Sequence, residues 1–329
     1  QRQMCIRDSA LAQDQNEETL LMEEIVVTAT RRDSTIVEVP YNISAVSGEF
    51  IERGKIMTTG ELLRGVPGAN VIDFGARNAG NVNTIRIRGL AVDSNINVDV
   101  PLSAVPPVST YINDTPLYAN MVLKDLERVE VLRGPQGTLY GSGSLGGTVR
   151  YLTRRPVLGE FSGRAEGSFS GTKGSSGYNW DADVMLNIPM GDTFAARIVG
   201  GYIDYDGVYD LPNAYVLDGS GFPVAPDGIL SDTAQYEYIK DVDTVKITYA
   251  RAALKWQPND TFDANFTYAY QKDEVGGRAM PTEGVDGWGD PYDRYQTGSV
   301  QREPSSRKVN MVSLEMNFDL GFATLTSST

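Results

Sequence analysis

From Phe161 onward the chain alternates apolar and polar residues over stretches too long for an ordinary soluble strand. Phe161, Gly163, Ala165, Gly167 and Phe169 fall on one side of an extended segment, and Ser162, Arg164, Glu166, Ser168 and Ser170 on the other. Trp180, Ala182, Val184, Leu186 and Ile188 oppose Asp181, Asp183 and Asn187, and Phe194, Ala196, Ile198, Gly200 and Tyr202 oppose Arg197. Two further rows, Phe262, Ala264, Phe266, Tyr268, Tyr270 and Val312, Leu314, Met316, Phe318, face away from Asp263, Asn265, Thr267, Gln271 and from Ser313, Glu315, Asn317, Asp319. Side chains of a strand point alternately to its two faces. Ordinary strands run about 5–6 residues, whereas one that crosses a bilayer needs about 9–11. A last strand begins at Phe322. The stretch 244–256 breaks the pattern, because Val245, Ile247 and Tyr249 share a side with Arg251; a bulge or a strand end is expected there.

The connections alternate as well. Met190-Gly191-Asp192, Pro258-Asn259-Asp260 and Leu320-Gly321 are tight, 171–177 is short, and 211–243 and 276–307 are long. Short turns at one end and long loops at the other are the habit of outer-membrane barrels, which places the long loops outside the cell. A soluble sandwich also alternates but buries its apolar side. Strand length, unequal loops and the aromatics Phe161, Phe169, Trp180, Tyr202, Phe262 and Tyr270 near strand ends select a lipid-facing sheet.

Composition removes other classes. No run of 18 apolar residues is present, so no transmembrane helix is expected. The chain has no His, which takes away the commonest zinc ligand and general base. A net charge of -14 disfavours a nucleic-acid partner. No catalytic residue, metal site or cofactor is expected, and the chemistry points to binding or transport.

The amino terminus divides in two. Ala10-Leu11-Ala12 ahead of Gln13-Asp14 has the small-residue form of a signal-peptide cleavage site, without the apolar segment that should precede it. Residues 1–9, with Cys5, read as an adapter-derived artefact, so 1–12 are set apart from the fold. Residues 13–36 are expected to be a flexible arm. Within it Glu24, Ile25, Val26, Val27, Thr28, Ala29 and Thr30 form a short β-prone run, suited either to adding as a strand to another protein's sheet or to opening the following domain.

A compact α+β unit is expected over 37–157. Thr58-Thr59-Gly60-Glu61 before Leu62-Leu63 has the form of a capping box, with Gly65 as the stop. Strands are expected at 85–89, 108–113 and 127–133. Arginine-bearing strands (Arg86, Arg88, Arg128, Arg133) beside Glu127 and Glu130 imply either an enclosed charge network or a solvated sheet face. Gly141, Gly143 and Gly146 satisfy G-x-G-x-x-G by letter, yet a strand pattern from Thr148 stands where a pyrophosphate-holding helix would be needed. A glycine-rich turn is the better reading.

The run Val129-Glu130-Val131-Leu132-Arg133-Gly134-Pro135-Gln136-Gly137-Thr138-Leu139-Tyr140-Gly141, with Gly146-Gly147-Thr148, closely resembles the plug domain of TonB-dependent outer-membrane receptors. Ile87-Arg88-Gly89 and Tyr111-Ile112-Asn113-Asp114 match other plug motifs in order, and 24–31 looks like the family's TonB box; Asn113 and Arg150 depart from its pattern. The resemblance implies plug-motif roles for Arg86, Arg88, Gly89, Glu127, Glu130, Arg133, Gly134, Gly137, Gly141, Gly146 and Gly147. It implies an α+β plug domain over 37–157, followed in 158–329 by antiparallel transmembrane β-barrel strands, seven of about 22. An unclosed set of this kind leaves an edge in hydrocarbon, so the sequence reads as a truncated fragment unable to insert alone.

The implied protein sits in the Gram-negative outer membrane, plug inside the barrel and amino-terminal arm in the periplasm, and is a transporter and not an enzyme. TonB would capture residues 24–30 by strand addition. Lipid and lipopolysaccharide would surround the barrel. The cargo expected first is a scarce nutrient such as a ferric siderophore; a carbohydrate or other non-iron substrate comes next, and a passive porin or adhesin last. Arg77 and Asp93, in apex loops 75–83 and 91–107, are candidate substrate contacts against a plain loop role. The lack of His weighs against haem.

Overall fold

The computed structural model describes residues 26–28, 34–35, 42–72, 84–90, 107–141, 143–277 and 279–329. A two-stranded pair, β1 (Val26–Val27) and β2 (Ser34–Thr35), precedes the first unit. That unit runs β3 (Asn42–Ser47), α1 (Gly48–Arg53), α2 (Thr59–Arg64), β4 (Ala69–Ile72), β5 (Thr84–Ile87), β6 (Val108–Ile112), β7 (Thr115–Pro116), β8 (Leu126–Arg133), α3 (Gly137–Tyr140) and β9 (Gly147–Thr153). Its sheet has the order β3-β8-β9-β6-β7, with β6 and β9 parallel and the other pairs antiparallel; β4 and β5 pair apart from it.

Local chemistry explains the short helices. Thr58 caps α2 by accepting from the Glu61 amide, and Gly65 ends it. The Glu61 carboxylate reaches back one residue further than a capping box requires, accepting from the Met57 amide at 3.0 Å. Helix α1, which the sequence reading missed, starts from a Ser47 hydroxyl that accepts from the Phe50 amide at 3.3 Å. Both helices bury apolar residues (Ile51, Leu62, Leu63) against Ile85, Ile87, Val129, Val131 and Val149. Leu132 points to the other side of the sheet and packs with Ile43, Tyr111, Tyr140 and Val27. Gly147 sits at φ 152 against the Leu132 carbonyl, which leaves no room for a Cβ. Strand β9 follows directly, where a nucleotide-binding domain would place a helix.

The second unit is a seven-stranded antiparallel meander: β10 (Ser162–Ser170), β11 (Asn179–Met190), β12 (Phe194–Tyr205), β15 (Val245–Asn259), β16 (Phe262–Val275), β17 (Ser305–Asp319) and β18 (Thr324–Ser328). The loop after β12 contains a hairpin of β13 (Leu211–Tyr215) and β14 (Tyr236–Ile239), with a helical turn α4 (Leu230–Thr233) between them. Two loop tips, Leu217-Asp218-Gly219-Ser220-Gly221-Phe222-Pro223 and Val285-Asp286-Gly287-Trp288-Gly289-Asp290-Pro291, share the pattern x-Asp-Gly-x-Gly-x-Pro and a geometry. Each is closed by a bridge between its first and last residue, and each Asp carboxylate accepts from the amides two and four residues on.

The outward face of the meander carries the apolar rows, with Trp180, Val184, Ile198, Leu254, Phe266 and Val312 exposed. Aromatics edge both ends of this band. Phe194, Trp256, Phe262 and Phe318 form a chain of ring contacts of 4.6 to 5.8 Å at the short-turn end. Phe169 with Tyr178 and Trp180 with Tyr202 pair at the long-loop end. One expectation is corrected. No bulge occurs at Arg251, which keeps register with Val199 and Ala269; the irregularity falls between Trp256 and Asn259. Val245, Ile247 and Tyr249 face inward with Arg251, because Met57 and Val122 of the first unit pack on that cluster and replace water there.

Candidate functional site

Glu130 on β8 is fully buried and central to an ionic cluster. It faces Arg150 directly across β8 and β9, and Arg150 Nη1 donates to Oε2 at 2.7 Å while Arg128 Nε donates to Oε1 at 2.8 Å. Arg150 Nη2 also reaches Asp114 at 3.2 Å. Burial pulls the Arg150 guanidinium down, but Tyr140, Glu130 and Asp114 outweigh it and hold its pKa above the ordinary arginine value. The cluster grips a residue of the β-prone run. The Thr28 amide donates to Glu130 Oε1 at 2.8 Å, and the Thr28 hydroxyl accepts from Arg150 at 3.0 Å and Arg128 at 3.1 Å. Val27 beside it is fully buried.

Of the two sequence readings for these charges the enclosed network is the one observed, with a changed membership. Arg128 and Arg150 hold Glu130, while Glu127 pairs with Arg128 at the surface. Arg133 instead donates to the Pro67 carbonyl at 2.8 Å, Arg88 lies against Gly134, and Arg86 is half-buried on β5. Gly134, Gly141 and Gly89 have positive φ; Gly137 opens α3, and the Gly146 amide donates to the Pro107 carbonyl at 2.7 Å. Glu24, Ile25, Ala29, Thr30, Arg77 and Asp93 lie outside the described residues.

A second cluster fastens the first unit to the inner face of the meander. Asp125, buried with φ 54, receives Arg197 at 2.5 and 2.8 Å and Arg251 at 2.7 Å. Lys124 reaches Asp183 at 2.6 Å, the Val122 amide donates to Gln271 at 2.9 Å, and Arg307 donates to the Asn120 carbonyl at 2.7 Å. Five consecutive wall strands, β11, β12, β15, β16 and β17, thus hold the segment 120–125. Sequence reasoning missed it; the available signal was Arg197 and Arg251 standing in the inward rows. Beside this segment lies a cavity of about 1050 Å³, lined by Lys55, Glu61 and Arg64 from the first unit and Asp181, Tyr205 and Arg307 from the wall. Among the described residues no three His, Cys, Asp or Glu come together as metal ligands.

A small mixed sheet packed on the inward face of a wall of long alternating strands fits one family model, described as TonB-dependent Receptor Plug Domain, which matches residues 35–148. Those residues are a TonB-dependent receptor plug domain. Receptors with this plug reside in the Gram-negative outer membrane with the plug inside the barrel, and they are transporters rather than enzymes. The fold of plug and meander together is similar to the ferric yersiniabactin uptake receptor of Yersinia pestis, at TM-score 0.63 and 19% identity over 88% of this chain. It is also similar to the ferripyoverdine receptor of Pseudomonas aeruginosa (0.61, 17%, 89% of this chain) and a siderophore receptor of Acinetobacter baumannii (0.57, 19%, 90%). The chain spans 40, 34 and 36% of the length of these three proteins, so its meander matches part of a barrel.

Proposed function

We propose that this chain supplies the plug and the first barrel strands of an active transporter that takes up a scarce nutrient across the outer membrane. The division is 1–12 as an adapter-like artefact and signal-peptide remnant, 13–36 as the periplasmic arm with the TonB box at 24–30, 37–157 as the plug and 158–329 as incomplete barrel wall. TonB engages Glu24, Ile25, Val26, Val27, Thr28, Ala29 and Thr30 by strand addition. The observation that carries this reading is the docking of Val27 and Thr28 on the plug through Glu130. The run pairs with the two-residue strand β2 and holds the plug through the Thr28 amide and hydroxyl and the buried Val27, a short attachment that it can exchange for another sheet edge. Arg77 and Asp93 contact cargo at the plug apex, and lipid and lipopolysaccharide cover the outer face.

A ferric siderophore is the first candidate cargo, since the solved structures of similar fold include receptors for such molecules. A neutral substrate such as a carbohydrate is the second. It is favoured by the external loops, where Tyr215, Tyr236 and Trp288 cluster and acidic side chains dominate 204–243. In the receptor, deletion of 24–30 should abolish uptake of radiolabelled cargo while surface binding persists. Uptake at the wild-type rate would overturn the box assignment. Growth on a panel of ferric siderophores under iron limitation, against growth on oligosaccharides as carbon source, separates the two cargo classes.

A further inference from the structure

The negative charge of the chain is concentrated in its two long loops. Residues 206–243 and 276–304 hold thirteen acidic and four basic residues, and so carry nine of the fourteen net negative charges. Carboxylates of the plug and inner wall have cationic partners, as Asp125, Glu130, Asp183 and Asp273 do. In the loops, Asp210, Asp218, Glu237, Asp286, Asp290 and Asp293 have no ion-pair partner among the described residues. Like charges gathered in this way repel one another and raise the local concentration of cations.

The two loops are bonded into one body. The Asp210 amide donates to the Tyr295 carbonyl at 2.8 Å, the Thr297 amide to the Asp210 carbonyl at 2.9 Å, and the Tyr215 amide to the Val300 carbonyl at 2.7 Å. On this support a row of rings runs between two carboxylates. The Tyr238 hydroxyl donates to Asp210 at 2.5 Å, and Tyr236 lies two residues earlier on the same face of β14. Trp288 meets Tyr236 edge to face at 4.9 Å, and Asp286, held by Asn213 at 2.9 Å, stands two residues before Trp288. Tyr236 also stacks on Tyr215 at 5.0 Å, which fixes its ring. Trp288 is 62% exposed and Tyr238 49%, so both keep ring surface open to a ligand. Desolvation raises the Asp286 pKa, but the Asp290 amide, the Asn213 side chain and the Trp288 and Gly289 amides outweigh it and hold the carboxylate below its ordinary value. A cation over an aromatic face is attracted by the ring quadrupole, and Arg294 already rests over Tyr295 at 5.3 Å in the same loop.

We infer that the cargo bears a protonated amine, and that Tyr236, Tyr238 and Trp288, with Asp210 and Asp286, hold that ammonium group. The rings supply faces and the carboxylates supply the counter-charge, on a support that is ordered before the ligand arrives. A polyanionic chelate is repelled by the same loops, and a neutral sugar gains nothing from their charge. A ferric chelate with a terminal amine and an amino sugar both offer the required chemistry. The inference rests on the reading of these loops as the external, cargo-facing surface of a transporter.

The test titrates the receptor by calorimetry with two matched pairs: a ferric trihydroxamate with a free terminal amine and the same chelate N-acetylated, and a glucosamine oligomer and its N-acetylated form. Within the pair that binds, the free amine should bind about tenfold tighter at low salt, and the gap should narrow at about 0.5 M salt. The pair that binds identifies the source of the amine. D210N should lower affinity for the free amine about tenfold and leave that for the N-acetylated form unchanged; W288L should narrow the preference and W288F keep it. Equal affinity within the pair, or no binding of either free amine, overturns the proposal. An equal loss for both forms in D210N also overturns it, because the residue then only shapes the loop. Uptake by cells separates this from the transporter reading. A free-amine probe that binds but is not imported with TonB intact sinks the transporter and leaves the site, whereas import without preference for the amine sinks the site alone.

Discussion

At the scale of single residues, the plug depends on groups that are expensive to bury and are fully partnered. Arg150 lies between Glu130, Asp114 and Thr28, so truncating it leaves the Glu130 carboxylate buried with Arg128 as its remaining ionic partner. Loss of one member of a buried ion pair costs about 3–5 kcal/mol. Arg150→Leu should lower stability of the plug by that order in urea unfolding, and a change below about 1 kcal/mol would contradict the network. Tyr151, one residue on, is buried and shares a 2.8 Å hydrogen bond with Thr59. Burial pushes its phenol up to about 12, with the Thr59 bond pulling the other way. A folded-state pKa above the unfolded value of about 10 means that its contribution is complete below pH 10 and is lost as pH rises through 12. Tyr151→Phe should therefore be less stable than wild type at neutral pH by about 1 kcal/mol, and the gap should close at alkaline pH. A constant gap in thermal unfolding from pH 8 to 11.5 would refute this. Glu130 was legible in the sequence as a charge needing a partner, and Arg150 only as a departure from a pattern. Thr28, more than a hundred positions from Glu130, gave no sign of the contact.

At the scale of elements, alternation read the wall strands well because a strand has only two faces. It misread Arg251 because it equates inward with polar, and the inward surface above that residue is covered by plug instead of water. Helix α1 escaped because its cap is one Ser–amide bond without the acidic partner that marks α2. The repeated loop tips were readable as a repeat but sit in segments with no period. The lipid-facing assignment has a direct consequence for Phe266, an exposed outward residue at the middle of the row Phe262, Ala264, Phe266, Tyr268, Tyr270 on β16. Phe266→Arg should cost about 2–4 kcal/mol in a bilayer. The inward neighbour change Thr267→Ser should cost far less. Both are measured by urea titration of the folded receptor in liposomes, and equal costs would contradict the facing.

At the scale of the whole molecule, the plug is held by one segment more than by any other part. Residues 120–125 bond to five wall strands, with Asp125 between Arg197 and Arg251. Asp125→Ala removes the shared anion and leaves two inward arginines facing each other. Hydrogen exchange of amides in 107–125 should speed up about tenfold or more while the wall strands keep their protection. Unchanged exchange would show that the apolar contacts around Met57 and Val122 carry the attachment.

The sequence by itself determined the lipid-facing rows, the unequal loops, the capped helix at Thr59–Arg64 and the glycine-rich turn, because each follows from neighbours a few residues apart. Tertiary structure alone decided which charges meet. Arg150 with Thr28, and Asp125 with Arg197 and Arg251, are joined across separations of 72 to 126 residues. A buried charge fixes its partner by distance in space and dielectric surroundings, and neither is written in the order of the residues.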